Sequence, residues 1–427
     1  MLDGEGRLLG TGRRPLQPSF GPAHAEGDAS AWLAAALEAG NEAARGHEIE
    51  AIGVCALGPA PVLVDGALEP VAPALLFSLD RRASPSTLGV SHDHPLPKLH
   101  WWRDTRPEVW ARASLALDAT GFLVGRLTGT PVLDTITADA WSHPSEPPPI
   151  AIPATADPLA VAGGLLDEHA RALGVRAGTP VTVGTYDTYA DVLAAGVCSP
   201  GDACILLGST LVLGAAVAQG VSAEGLEATG YLGDGAFLGG WTAAAGTTLD
   251  WCAALLGERI DVAALAPGAG GLLALPFLAG ERTPVWDPDA RGVVAGLSLS
   301  TGRKELYRAF VDAVALSAHD HVQRLRDAGI TPPVWRTRGG GTADAAWLQA
   351  ACNAVAAPLE LVAHAGDAVG PAVLAHRATG TEVTLPVVRQ LEPDPAHASR
   401  YGELYPRYRE LYASTATLVH ALAGGNA

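Results

Sequence analysis

Lysine is nearly absent from this chain: Lys98 and Lys304 are the only two in 427 residues. Arginine supplies the rest of 28 basic residues, and 45 Asp and Glu leave a formal net charge of −17. Such an acidic balance argues against nucleic acid and anionic membrane as partners. Cysteine is scarce as well. Cys55, Cys198, Cys204, Cys252 and Cys352 are scattered in apolar settings, with no C-x-x-C and no Cys/His pair at metal spacing. They read as reduced, buried thiols. No apolar run reaches membrane-spanning length, and Asp3 and Glu5 stand where a signal peptide would need Lys or Arg. The expectation is a soluble, cytoplasmic protein.

What is present is the composition of a compact globular chain, 48% hydrophobic and 17% charged. Its length exceeds one comfortable core, so two domains are expected, 1–198 and 199–427, divided near the ValCysSerProGly segment at 197–201. AspGly and GluGly punctuation near Met1 predicts part of a hairpin. Helices are predicted at 28–45, 97–104, 106–114, 117–128 and 167–174, with strands at 49–55, 61–64 and 179–184. In the second half, strands are predicted at 203–207 and 211–217. Helices follow at 246–256, 301–327, 343–356, 367–378 and 398–424. Thr301 is the predicted cap of the longest of these, with Leu306, Phe310, Val314, Ala318, Val322 and Leu325 on its apolar seam. The Pro-rich stretch 142–156 reads as a surface loop.

Asp187 sits where the 179–184 strand hands over to a helix. A carboxylate at a helix N-terminus is kept ionised by the dipole and the free N–H groups, and it can take a proton from a hydroxyl. An ordinary helix cap fits the same position. LeuGlySerThr at 207–210 offers backbone and hydroxyl donors to phosphate, or is a plain hairpin turn. GlyGlyGlyThr at 339–342 follows an extended segment and opens a helix, a place where backbone can approach a flat ring or phosphate. GlyThrThrLeuAspTrp at 246–251 reads as a helix start with core packing at Trp251. Glu281 and Arg282 read either as a structural ion pair or as site residues. The SerHisAspHisPro loop at 91–95 reads as solvated surface. His319 and His321, two apart on a helix, face different ways and make no zinc site.

The block LeuProPheLeuAlaGlyGluArgThrProValTrpAspProAspAlaArgGly, which opens the 275–297 segment, resembles the signature of the FGGY carbohydrate kinases, in particular the xylulokinase-type branch. GlyThrTyrAspThrTyrAlaAsp resembles the family segment whose Asp is the catalytic base, which carries that role onto Asp187. LeuGlySerThr resembles its second phosphate loop, implying Gly208, Ser209 and Thr210. ArgGlyGlyGlyThr with TrpLeuGln at 347–349 resembles its adenosine segment, implying Gly339, Gly340, Gly341 and Thr342; Gly246 and Thr247 would border the nucleotide. AspArgArg at 80–82 matches the family's D-x-R, so Asp80 and Arg82 join Asp187 as implied sugar ligands. LeuThrGly at 127–129 with Asp134, ProLysLeu at 97–99 and the 366–375 segment match as well.

The resemblance implies an α/β fold of two actin-like (ribonuclease H-like, ASKHA) domains around an interdomain cleft, each with a five-stranded mixed sheet. It implies sugar binding and the base in the first domain and nucleotide binding in the second. The implied reaction is direct in-line transfer of a phosphoryl group from ATP, with Mg2+, to a sugar or polyol hydroxyl, a xylulose-like ketose first. Domain closure would exclude water, no residue of this chain is assigned as a metal ligand, and a homodimer is common in the family. The chain also departs from the pattern. The family's opening Asp-x-Gly-Thr strand is not matched, which predicts unpaired inner edges in the first sheet. Residues 55–61, CysAlaLeuGlyProAlaPro, lack the usual polar sugar contact, and Asp139 stands where Ser is usual. These departures leave a non-catalytic sugar- or nucleotide-binding remnant as the alternative.

Overall fold

The computed structural model describes residues 1–77, 79–83, 88, 90, 94–363 and 368–424. The chain divides into two compact units that interleave in sequence. The first comprises Met1–Ala194, Gly230–Gly233 and Ala365–Leu385; the second comprises Ala195–Thr229, Asp234–His364 and Pro386–Ala427.

In the first unit the predicted opening hairpin is present: Leu2 bridges Leu8 antiparallel across a turn closed by the Gly6 N–H on the Asp3 carbonyl. Helix Ala29–Ala44 starts where the sequence says, because the Asp28 carboxylate accepts from Ser30 and Ala31 N–H. Strands Cys55–Ala56 and Thr185–Tyr186 pair parallel, and a bridge from Ile52 to Val181 prolongs the pairing. Pro61–Val64 pairs antiparallel with Leu115–Asp118. Instead of the expected five-stranded sheet, the described residues of this unit pair in twos and threes. No described strand joins the Cys55–Ala56 pair to the Pro61–Val64 pair, which is the open-edge situation the sequence predicted.

The segment predicted as helix 117–128 is shorter, Ala119–Thr128, because Leu115–Asp118 is consumed as a strand and Asp118 caps the helix. The helix Thr135–Trp141, capped by Asp134, lies outside the predicted elements. Helix Val369–Ala378 packs against helix Asp187–Ala194, so this late segment belongs to the first unit.

The second unit is built on one seven-stranded sheet. In order it runs Glu227–Gly230, Gly235–Trp241, Leu211–Ala218, Ala203–Leu207, Trp335–Arg338, Leu359–Val362 and Val387–Leu391. The three neighbours Ala203–Leu207, Trp335–Arg338 and Leu359–Val362 are parallel to one another. Ala203–Leu207 is buried along its whole length, which is why it reads as an uninterrupted apolar run. Helix Arg303–Asp327 carries the predicted seam, but its cap is Gly302, not Thr301. Glu305 accepts from the Gly302 N–H at 3.1 Å, while the Thr301 hydroxyl is turned back to the Ser298 N–H. Its buried charges are matched: Arg308 bonds Asp312 at 2.8 Å, and Tyr401 donates to the same carboxylate at 2.8 Å.

Candidate active site

The first unit places Asp187 at the opening of helix Asp187–Ala194, exposed to solvent, directly after the parallel strand pair. Its Oδ1 accepts from the Thr188 N–H at 2.7 Å, inside its own first turn. The approach to it is tightly constrained. Gly184 has φ +70°, and a Cβ there would meet the Val54 carbonyl oxygen at 2.0 Å, so only glycine lets the two strands come together. Beneath lie two buried carboxyls. Asp134 accepts from Ile136 N–H (3.1 Å), Thr137 N–H (3.0 Å), Thr137 Oγ1 (2.5 Å) and Thr185 Oγ1 (3.0 Å). Asp118 accepts from Thr120 and Gly121 N–H. Burial, followed by repulsion from Asp134, pushes Asp118 up to about 7. Burial raises Asp134 too, against its hydrogen bonds.

The implied sugar ligands Asp80 and Arg82 come together, but on each other. Asp80 is completely buried and accepts from Ala25 N–H at 2.9 Å and from Arg82 Nη2 at 2.7 Å. The Arg82 guanidinium also reaches Glu26 at 2.8 Å and stacks 4.5 Å from the centre of the Trp101 ring. Glu26 carries no motif that would have singled it out, whereas Trp101 stands just after the ProLysLeu segment that matches the family pattern. Nearby, Lys98 is fully buried with its ammonium on the Leu76 carbonyl at 2.8 Å. Of the 91–95 loop, residues 91–93 lie outside the described residues, as do Gly366 and Asp367 of the 366–375 segment. His94 is no solvated surface residue: its Nδ1 accepts from Leu96 N–H and caps helix Pro95–Thr105.

In the second unit, Gly208, Ser209 and Thr210 form the tight turn between Ala203–Leu207 and Leu211–Ala218. Gly208 spends its N–H on the Thr210 carbonyl at 3.1 Å. Ser209 and Thr210 are exposed, and among the described residues their N–H groups and hydroxyls donate to no acceptor. The start of helix Gly246–Leu256 locks onto this turn: Gly246 N–H bonds the Gly208 carbonyl (3.0 Å), and Thr247 N–H and Oγ1 bond the Ser209 carbonyl (3.2 and 3.1 Å). Gly246 and Thr247 therefore shape the turn rather than leave donors open beside it.

Two of the three glycines of the 339–342 loop are required by their surroundings, and the third is not. Gly339 has φ +110°, and its Cβ would strike the Leu207 carbonyl oxygen at 2.5 Å. Gly341 lies on the buried Trp347 ring. Gly340 is exposed with open space where a Cβ would be. Thr342 closes the loop, its hydroxyl donating to the Gly339 carbonyl at 2.7 Å.

The 275–297 segment is pinned from several sides. Glu281 is buried, and its Oε1 accepts from Ala243 N–H (2.7 Å) and Arg282 N–H (2.8 Å). It forms no ion pair with the Arg282 guanidinium; the backbone amides take its place. Burial pushes Glu281 up to about 7. Thr283 meets His321 Nε2 at 2.9 Å, and His321 Nδ1–H donates to the Ser317 carbonyl at 2.8 Å. Burial holds His321 and His319 below the usual imidazole range. Trp251 is half exposed, its ring edge-on to Phe310 at 5.5 Å, rather than packed in the core.

Among the described residues, no group of three or more His, Cys, Asp or Glu is placed to hold a metal ion. Among the described residues, no helix is long and apolar enough to cross a membrane.

Two α/β units, with an exposed carboxylate at a helix mouth in one and a tight donor turn beside a glycine loop in the other, belong to the two-domain actin-like class. Residues 203–379 match the FGGY family of carbohydrate kinases, C-terminal domain. The chain is 27% identical to the xylulose kinase of Escherichia coli over 442 residues, covering 92% of this chain and 91% of that one. It is 27% identical to the xylulose kinase of Bacillus subtilis over 368 residues, covering 77% and 72%. The crystal structure of xylulose kinase from Rhodospirillum rubrum superposes with a TM-score of 0.84 at 28% identity, covering 95% and 94%. Along most of its length the chain is thus similar to xylulose kinases, and residues 203–379 carry the C-terminal domain of the FGGY family of carbohydrate kinases.

Proposed function

We propose that this protein transfers the γ-phosphoryl group of ATP to a hydroxyl of a sugar or polyol, a xylulose-like ketose first. The observation that carries this reading is Asp187, an exposed carboxylate at a helix mouth held by a glycine-dependent strand junction. As the acceptor oxygen forms its bond to phosphorus, the hydroxyl proton passes to the Asp187 carboxylate. The bond from the γ-phosphorus to the bridging oxygen breaks, and ADP leaves. In the second unit, Ser209 and Thr210 supply the unspent donors suited to phosphate oxygens, and Gly339, Gly340, Gly341 and Thr342 form the adenosine loop. Magnesium belongs to the substrate, as MgATP, coordinated chiefly by phosphate oxygens and water. A cytoplasmic setting fits such substrates.

A coupled ADP-release assay with D-xylulose, ribulose and glycerol tests the reading. Wild type is expected to turn over a ketose best. Asp187→Asn is expected to lose roughly 10²–10⁴-fold in kcat, the usual worth of a positioned base, while keeping ATP affinity. Undiminished turnover by Asp187→Asn would sink the assignment of the base.

One observation favours the remnant reading: Asp80 and Arg82 are spent on each other and on Glu26, which leaves few sugar donors in view. Under that reading, calorimetry would find nucleotide binding without turnover of any sugar in the panel.

A further inference from the structure

Thr185 is fully buried, two residues before Asp187, in a strand only two residues long. So short a strand cannot fix its own position by ladder bonds. It is gripped by side chains instead. The Thr185 hydroxyl donates to Asp134 Oδ1 at 3.0 Å, and its carbonyl accepts from Thr120 Oγ1 at 3.3 Å. Thr120 Oγ1 in turn accepts from the Ala56 N–H at 3.1 Å, on the partner strand. We propose that Asp134 is a positioning residue for the base: through the Thr185 hydroxyl it fixes the strand end from which Asp187 is presented. The inference rests on the kinase reading only for its kinetic consequence.

A simple cap would also explain Asp134, which accepts from Ile136 and Thr137 N–H at the start of its own helix. What a cap does not need is the fourth donor, arriving from a strand 51 positions away in sequence. Four donors converge on this carboxylate, and only one of them belongs to the segment that carries the base. The two roles separate experimentally, because a cap affects stability alone, whereas a displaced base slows the chemical step.

Asp134→Ala would remove cap and link together, so the decisive variants are Thr185→Val and Thr185→Ser. Val keeps the branched shape a buried strand favours and deletes only the hydroxyl. Thr185→Val is expected to lower kcat by about 10–100-fold, the order of loss that misplacing a reacting group by an ångström produces. KM for sugar and ATP should stay within about twofold, and Thr185→Ser should restore most of the rate. A Thr185→Val enzyme with wild-type kcat, or a Thr185→Ser enzyme as slow as Thr185→Val, overturns the proposal.

Hydrogen exchange across residues 184–192 provides a readout that needs no reaction. Exchange should quicken in Thr185→Val relative to wild type and Thr185→Ser, and unchanged exchange overturns the positioning link. Absence of turnover by wild type itself counts against the kinase reading, and the exchange result then decides the link alone.

Discussion

The Trp347 indole lies beneath Gly341, where an added Cβ would meet its Cζ3 at 2.0 Å. Trp347 is buried at the start of helix Ala345–Val355, and Asp344 accepts its N–H at 3.0 Å. The glycine is thus required from below, by packing, irrespective of any ligand. Its neighbour Gly340 has no such constraint, with nothing within 4 Å of a Cβ there.

Gly341→Ala and Gly340→Ala are therefore expected to part ways. The first overpacks the loop and should cost about 1–3 kcal/mol, read as a lower Tm. The second should leave Tm unchanged and raise KM for ATP several-fold, because the added methyl occupies open space on the loop assigned to adenosine. A Gly340→Ala protein with unaltered ATP kinetics would remove Gly340 from the nucleotide site.

The same loop shows what sequence patterning can and cannot reveal. The glycine run marked the place, but not that only one of its glycines is unconstrained by its neighbours. Asp187 was legible because strand-to-helix transitions are local and its neighbours form a recognisable segment. The burial of Asp80 was not, since it depends on the Ala25 N–H, 55 residues distant. The Thr185 bond to Asp134 was hidden for the same reason: its donor comes from another element. Apolar runs gave the central strands of the second unit. The small pairings of the first unit, with strands of two residues such as Cys55–Ala56, are too short for periodicity to register.

Glu281 makes a pH-dependent prediction. Its folded value near 7 lies above the ordinary carboxylate range, so the folded state holds a proton that the unfolded chain has already released. Its ionisation therefore costs stability as pH rises from about 4 through 7, a penalty bounded at about 3 kcal/mol. Both hydrogen bonds it accepts fall on Oε1, an atom that glutamine keeps as a carbonyl. Glu281→Gln should raise Tm by several degrees at pH 8 and by little at pH 5. A stability gain that is equal at both pH values would show that charge burial is not its source.

Asp287 ties the 275–297 segment to the last helix of the chain, Pro395–Gly424. Its Oδ2 accepts from Tyr412 Oη at 2.7 Å and from His420 Nε2–H at 2.6 Å. Burial works to raise this carboxyl, but the Tyr412 and His420 bonds outweigh it and hold Asp287 below its usual range. A depressed carboxylate contributes stability that is present above its unfolded value near 4 and is lost as pH falls through the folded one. Tyr412→Phe removes one donor without changing the ring that packs edge-on to Phe277 at 5.7 Å. A hydrogen bond to a charged group is worth about 1.5–3 kcal/mol, less where solvent reaches the pair. Tyr412→Phe should therefore lower Tm at pH 7, and the loss should shrink in an Asp287→Asn background, since two partners in one bond are not additive. Equal losses in the two backgrounds would mean that Tyr412 stabilises the fold through its ring alone, and the C-terminal helix would then hold the segment by packing rather than by this carboxylate.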